Sequence, residues 1–295
     1  MSTRHLQVLL FYGAFVGLSV LLALARRWLR PASTGPSVWK KYPTYILLNL
    51  VFLVLAWLPT TWHGLALLLG LIGAGVSWEI SHALGLSRFE RVGLPVVTAS
   101  LVLAAEWLTP NAFLLLWLGS ILLAVAISAF TSPCDHFGGG MLGLAGSVVY
   151  LPICLVSLIW LWHMHDGGFR VVFFYLVIAS NDAFAQITGQ LVGGRLLAPA
   201  ISPGKTVAGA VGGVVCATVV GAILGTTLGW SAGVGACIGV TLGIAGQIGD
   251  LVESRWKRAL GVKDFSRLLG AQGGVFDRFD ALIFAAPVFY LLLSI

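Results

Sequence analysis

Residues 209–225 read GAVGGVVCATVVGAILG, and residues 233–249 read GVGACIGVTLGIAGQIG. Neither stretch carries a charge, and glycine or another small residue returns every three or four positions. As helices, runs of this kind can cross a hydrocarbon layer of about 30 Å. Small residues at that spacing form faces on which transmembrane backbones approach closely. The rest of the chain has the same character. Of 295 residues, 58% are hydrophobic and only 9% charged, where a soluble domain carries about a quarter charged. The apolar runs show no period-2 alternation, which excludes a membrane β-barrel and leaves helices as the spanning structure. The reading is an all-α, polytopic helical membrane protein of about eight to ten spans with a glycine-rich C-terminal bundle.

Spans are expected near 8–25, 44–58, 62–78, 93–108, 111–130, 141–162, 170–190, 206–228, 231–249 and 281–295. Loops placed on alternate sides gather Arg26, Arg27, Arg30, Lys40, Lys41, Arg88, Arg91, Arg195 and Lys205 on one side. Arg255, Lys257, Arg258, Lys263, Arg267 and Arg278 join them. Of the 17 basic residues only Arg4 and Arg170 fall opposite. The rich side is then cytoplasmic and the N-terminus lies outside. The first span is read as uncleaved, because its basic cluster follows the apolar run. Trp28, Trp39, Trp57, Trp62, Trp78, Trp107 and Trp162 lie near span ends, as an aromatic belt does. The net charge of +6 fits this topology and anionic headgroups, and no nucleic-acid partner is expected. Residues 1–165 read as a hydrophobic packing shell and residues 166–295 as the catalytic half. Cys154, Cys216 and Cys237 sit in apolar runs with no CxxC pair, and Cys134-Asp135-His136 reads as an ordinary loop.

Ionisable residues at membrane depth are costly and usually functional. Asp182, in VIASNDAFAQITGQ beside Asn181 and Gln186, falls in the cytoplasmic half of its span. In QIGDLVES, Asp250, Glu253 and Ser254 share one helix face by their spacings of three and four. Asp277 and Asp280 stand three apart where the last span begins, a position where helix capping would also favour acid. Capping accounts for one of that pair, but not for Asp182, Asp250 and Asp277 all facing one side of the membrane. Carboxylates gathered this way with basic neighbours suit a hard cation such as Mg²⁺ and phosphates clamped by lysine and arginine. The chemistry indicated is phosphoryl or nucleotidyl transfer on a lipid. A second polar island, ISPGKTVAGAVGG, places Ser202, Lys205 and Thr206 before a glycine-rich helix, whose free N–H groups can cradle phosphate. Its GKT is not a Walker motif: position 199 is proline where that motif has glycine, and no strand is expected before it.

From Ser254 to Asp280 the chain resembles the phosphatidate cytidylyltransferases, or CDP-diacylglycerol synthases. Ser254, Lys257, Arg258, Lys263, Asp264, Ser266, Leu269, Gly270, Gly273, Gly274, Asp277, Arg278 and Asp280 all stand in register with that family's C-terminal signature. The resemblance runs from about residue 180 to 285. Four positions depart from the pattern: Gln272 replaces histidine, Trp256 an aliphatic residue, Val207-Ala208 a Trp-Glu pair, and Gln190 a basic residue. Those departures mark a divergent member.

The resemblance implies that phosphatidate and CTP yield CDP-diacylglycerol and pyrophosphate, in phospholipid biosynthesis at a bacterial inner membrane, with the site on its cytoplasmic face. It implies Asp182, Asp250, Asp277, Asp280, Lys263 and Asp264 as catalytic residues. Asp250, Asp277 and Asp182 would hold Mg²⁺, as two cations. Substrate binding would fall to Ser202, Lys205, Thr206, Ser254, Lys257, Arg258, Gly273, Gly274 and Arg278. The partners expected are CTP, phosphatidate or a related phospholipid, and the bilayer; a homodimer is compatible with them. Three alternatives stand beside this reading: a CTP-dependent transferase for another phosphorylated lipid, a non-catalytic paralogue, and a transporter. The transporter fits least, because no repeated halves are visible and the charges gather at one face.

Overall fold

The computed structural model describes residues 63–131, 141, 143, 145–270 and 273–294, with positions 13, 17, 47, 50, 51 and 54 before them. Apart from those six positions, the expected spans near 8–25 and 44–58 lie outside the described residues, as do the Cys134-Asp135-His136 loop and Gln272. Helix α1 (Gly64–Ala83) is followed by α2 (Arg88–Ala104) and α3 (Pro110–Thr131). A π-helical stretch, Ala145–Tyr150, runs into α4 (Leu151–His163), and α5 (Gly167–Val192) follows. Strands β1 (Leu196–Ala198) and β2 (Ser202–Thr206) lead to α6 (Val207–Thr227), α7 (Ala232–Ala259) and α8 (Phe276–Ser294). Each expected span from residue 62 onward is helical over most of its described residues. The stretches 64–83, 145–163, 167–192, 207–227 and 232–259 are long and apolar enough to cross a membrane, and the chain is an integral membrane protein.

Several helices run past the expected span ends, and two of these extensions bear on the charged residues. Helix α7 continues to Ala259, carrying Lys257 and Arg258 in its last turn, where cations complement the helix dipole. Helix α8 begins at Phe276, with Asp277 in its first turn. Apolarity marks only the part of a helix in lipid, so these polar turns were outside the expected spans. The expected loop before α6 is instead an antiparallel hairpin, with Leu196 opposite Thr206 and Ala198 opposite Ser202. A short strand therefore does precede the GKT triplet. The chain turns into the hairpin through Gly193 and Gly194, at φ 65° and 92°, values that favour glycine. Thr206 closes it by capping α6: its Oγ1 accepts from Gly209 N at 3.1 Å.

The small-residue faces bring α5, α6 and α7 together. A Cβ on Gly239 of α7 would run into the Ala217 carbonyl of α6. Farther along α7, a Cβ on Gly249 would lie 2.6 Å from Phe284 Cβ and 2.9 Å from the Asp280 carbonyl of α8. Only glycine allows that approach. Around α4 the packing changes to large side chains. Leu151, Leu155, Leu158 and Trp162 are buried there, and Phe174 of α5 stacks on Phe289 of α8 at 5.5 Å.

The two ends of the bundle differ. At one end α1, α5 and α7 finish while α6 and α8 begin, and the hairpin lies there. At the other, the Glu106 side chain is only 3% exposed and meets His63 Nδ1 at 2.9 Å and His163 Nε2 at 3.5 Å. That contact joins the start of α1, the α2–α3 turn and the end of α4.

Candidate active site

The hairpin end collects the acidic residues. On α7, Asp250, Glu253, Ser254 and Lys257 follow at intervals of three, one and three, which puts them on one face. Gly249, one residue before, seats this face against α8, and Asp280 lies opposite. Carboxylate oxygens of Asp250, Glu253 and Asp280 all lie within 4.8 Å of one another. Glu253 is 1% exposed and Asp280 9%, while Asp250 is half-buried. Lys257 Nζ stands 2.7 Å from Glu253 Oε2 as an ion-pair partner. Yet neither Glu253 oxygen accepts a well-directed hydrogen bond among the described residues. Buried oxygens in that condition are unusual, and a ligand or ion is one of the few ways to satisfy them.

Helix α5 brings Asp182, which is exposed, within reach of the charges of Asp250, Lys205 and Arg278. A chain of amides orients it. Gln247 Nε2 donates to the Ala210 carbonyl at 2.8 Å and to Asn181 Oδ1 at 3.1 Å, and Asn181 Nδ2 donates to Asp182 Oδ1 at 3.1 Å. Three helices are thereby linked to one carboxylate. From β2, Lys205 Nζ reaches Asp250 Oδ2 at 2.5 Å. Ser254 Oγ lies 3.4 Å from Asp250 Oδ1, at the long end of hydrogen bonding.

Asp277 is placed differently from Asp280. Its Oδ1 accepts from Lys257 Nζ at 2.9 Å, and its Oδ2 from Gly274 N at 2.6 Å and Phe265 N at 3.3 Å. Asp277 stands in the first turn of α8, ahead of the apolar run. Burial works to raise its carboxyl, but the Glu253 side chain, the Gly274 N–H and the Lys257 ammonium outweigh burial and hold it below the usual carboxylate range.

The other expected residues take varied places. Arg258 is exposed, and its Nε donates to the Ile201 carbonyl at 3.2 Å, tying the end of α7 to the hairpin turn. Ser202 is half-buried in β2, and the Thr206 hydroxyl is occupied as the α6 cap. Lys263 and Asp264 are exposed on the loop between α7 and α8, and Gly273 and Gly274 end that loop. Arg278, half-buried, presents its charge toward Asp182.

Two residues that the sequence reading did not single out are part of this end. Gln247 anchors the amide chain to Asp182. Glu79 of α1 is fully buried and bonds to the loop before α8. Its signal was present in the sequence: a carboxylate inside an apolar run, the same feature that marks Asp182.

A cluster of oxygen donors, with carboxylates in excess of the ammonium groups touching them, has the donor set of a hard divalent cation. Its rim supplies lysine, arginine and a helix N-terminus suited to phosphate.

Comparison with known proteins gives a concordant picture. The cytidylyltransferase family profile matches residues 39–295. A phosphatidate cytidylyltransferase of Staphylococcus saprophyticus is 37% identical over 130 residues, 43% of this chain and 50% of the relative. That of Bacillus subtilis is 33% identical over 152 residues, 50% of this chain and 56% of the relative. That of Rickettsia bellii is 30% identical over 205 residues, 67% of this chain and 86% of the relative. The chain thus spans about half the length of the first two relatives and most of the third. With the family profile covering nearly all of the sequence, the chain belongs to the cytidylyltransferase family.

Proposed function

We propose that this protein is a CTP:phosphatidate cytidylyltransferase of the bacterial inner membrane, working at the cytoplasmic face and releasing CDP-diacylglycerol and pyrophosphate. The observation that carries the reading is the convergence of Asp250, Glu253 and Asp280 within 4.8 Å, in a family member whose relatives bear that enzyme's name. We assign the cation to these three carboxylates, with Asp182 facing them from α5. Asp277, whose two oxygens are taken by Lys257, Phe265 and Gly274, becomes the brace of the adjoining loop instead of sharing ions with Asp250. Mg²⁺ bound there would supply charge neutralisation and alignment of the triphosphate.

An oxygen of the lipid phosphate attacks the α-phosphorus of CTP; the new P–O bond forms as the bond to the β-phosphate oxygen breaks, and pyrophosphate leaves. The nucleophile is already an anion, so no side chain has to remove a proton. The protein's part is alignment and charge. Lys205 on the hairpin, Arg258 at the end of α7 and Arg278 at the start of α8 bind the phosphates. The Asn181–Gln247 amides hold Asp182 in place. The hairpin presents Ser202 and the start of α6 to the polar end of the lipid.

The test uses purified protein, Mg²⁺ and labelled CTP. Pyrophosphate should appear only when phosphatidate is added. Glu253→Gln or Asp280→Asn should lower kcat by about 10²–10³. Lipid-independent turnover, or full activity in both variants, would overturn the assignment. Val207-Ala208, at the mouth of α6, favours a second reading in which the acceptor is a different phosphorylated lipid. A panel of such lipids in the same assay separates the two.

A further inference from the structure

Glu79 belongs to α1, yet among the described residues its hydrogen-bond donors come from the other end of the chain. Ser266 Oγ donates to Oε1 at 2.5 Å, Val275 N to Oε1 at 2.7 Å, and Phe276 N to Oε2 at 2.9 Å. The carboxylate is 0% exposed, so three donors replace the water it has lost. Val275 and Phe276 lie at the N-terminus of α8, where backbone N–H groups have no partner within the helix and negative charge is favoured. Ser266 Oγ in turn accepts from Leu268 N at 3.1 Å, so the same carboxylate reaches into the middle of the loop. Asp277 grips the loop separately, through Phe265 N and Gly274 N.

The paired glycines lie between these two acids. A Cβ on Gly273, which sits at φ +85°, would lie 2.7 Å from Asp277 Oδ2. A Cβ on Gly274 would lie 2.5 Å from Glu79 Oε1. Their lack of side chains lets both carboxylates close on the backbone.

We propose that Glu79 is a positioning residue of the nucleotidyl-transfer site. It fixes the loop between α7 and α8 together with the first turn of α8. It thereby sets where Lys263 and Arg267 stand relative to Asp250 and Glu253. The inference rests on the reaction proposed above, and extends the site into the half of the chain expected to be a packing shell.

The test uses the full-length chain in detergent with Glu79→Gln, Ser266→Ala and the double variant. Lys263 and Arg267 are exposed, so brief trypsin treatment reports on the loop without reference to activity. Glu79→Gln should speed cleavage at Arg267 and raise the KM for CTP by about tenfold or more, with kcat changed much less. Ser266→Ala should act in the same direction more weakly, and the double variant should fall short of the sum of the two. Wild-type cleavage and KM would overturn the proposal, as would a fall in kcat that merely follows the folded fraction. Should Glu79→Gln fail to fold, Ser266→Ala decides by the same two readouts. Absence of CTP turnover in the wild-type chain would sink the enzymatic reading, and cleavage at Arg267 would still judge the grip of Glu79 on the loop.

Discussion

Lys205 and Asp250 meet at 2.5 Å with their side chains 26% and 37% exposed. A pair so open to water adds under about 1 kcal/mol to stability. Its value lies instead in holding an ammonium beside the acidic cluster, where a phosphate can take it over. Lys205→Gln should therefore leave the melting temperature nearly unchanged and lower kcat/KM by about tenfold or more, with Lys205→Arg recovering part of the loss. Equal losses in the two variants would show that geometry matters there more than charge. Residues of this kind were legible because an ionisable group stands out in an apolar chain, which is how Asp182, Asp250 and Asp280 came to notice. Which acid faces which partner was not legible. A spacing of three puts Asp277 and Asp280 on neighbouring parts of α8, and the choice between them depends on where that helix begins and how it is rotated. Glu79 was equally visible by its chemistry, but its partners lie 187 to 197 residues away, beyond any local pattern.

At the scale of elements, the approach of α7 to α8 depends on Gly249. Gly249→Ala places a methyl group 2.6 Å from Phe284 Cβ, and the helices must separate. The expected cost is about 1–3 kcal/mol, read as a lower melting temperature, together with a loss of turnover as Asp250 draws away from Asp280. Gly93→Ala is the control, since nothing lies within 4 Å of its Cβ position. That change should be neutral or slightly stabilising, because alanine suits a helix interior better than glycine. The helices themselves follow from apolar runs, and the small residues of α6 and α7 foretold their close packing. The polar last turns of α7 and the hairpin at 196–206 did not follow so directly. One is a helix outside the hydrophobic signal, and the other depends on pairing between two very short segments.

Across the whole sequence, loops placed on alternate sides put 15 of the 17 basic residues on one side. A topology with Lys263 inside and His165 outside predicts opposite labelling in a background lacking native cysteines. With a membrane-impermeant maleimide on intact cells, His165→Cys should react directly and Lys263→Cys only after permeabilisation. Reaction of both from the same side would overturn the assigned orientation.

The grip of Glu79 on Val275 also bears on how the protein is made. Val275 is synthesised 196 residues after Glu79, when most of the chain has already left the ribosome and entered the bilayer. Until then the glutamate waits in α1 without the donors that satisfy it. The proposed site is therefore complete only once α8 has been made and has packed against α1, and a nascent chain stalled before residue 275 would hold Asp182, Asp250 and Glu253 without Asp280 or the grip of Glu79 on Val275.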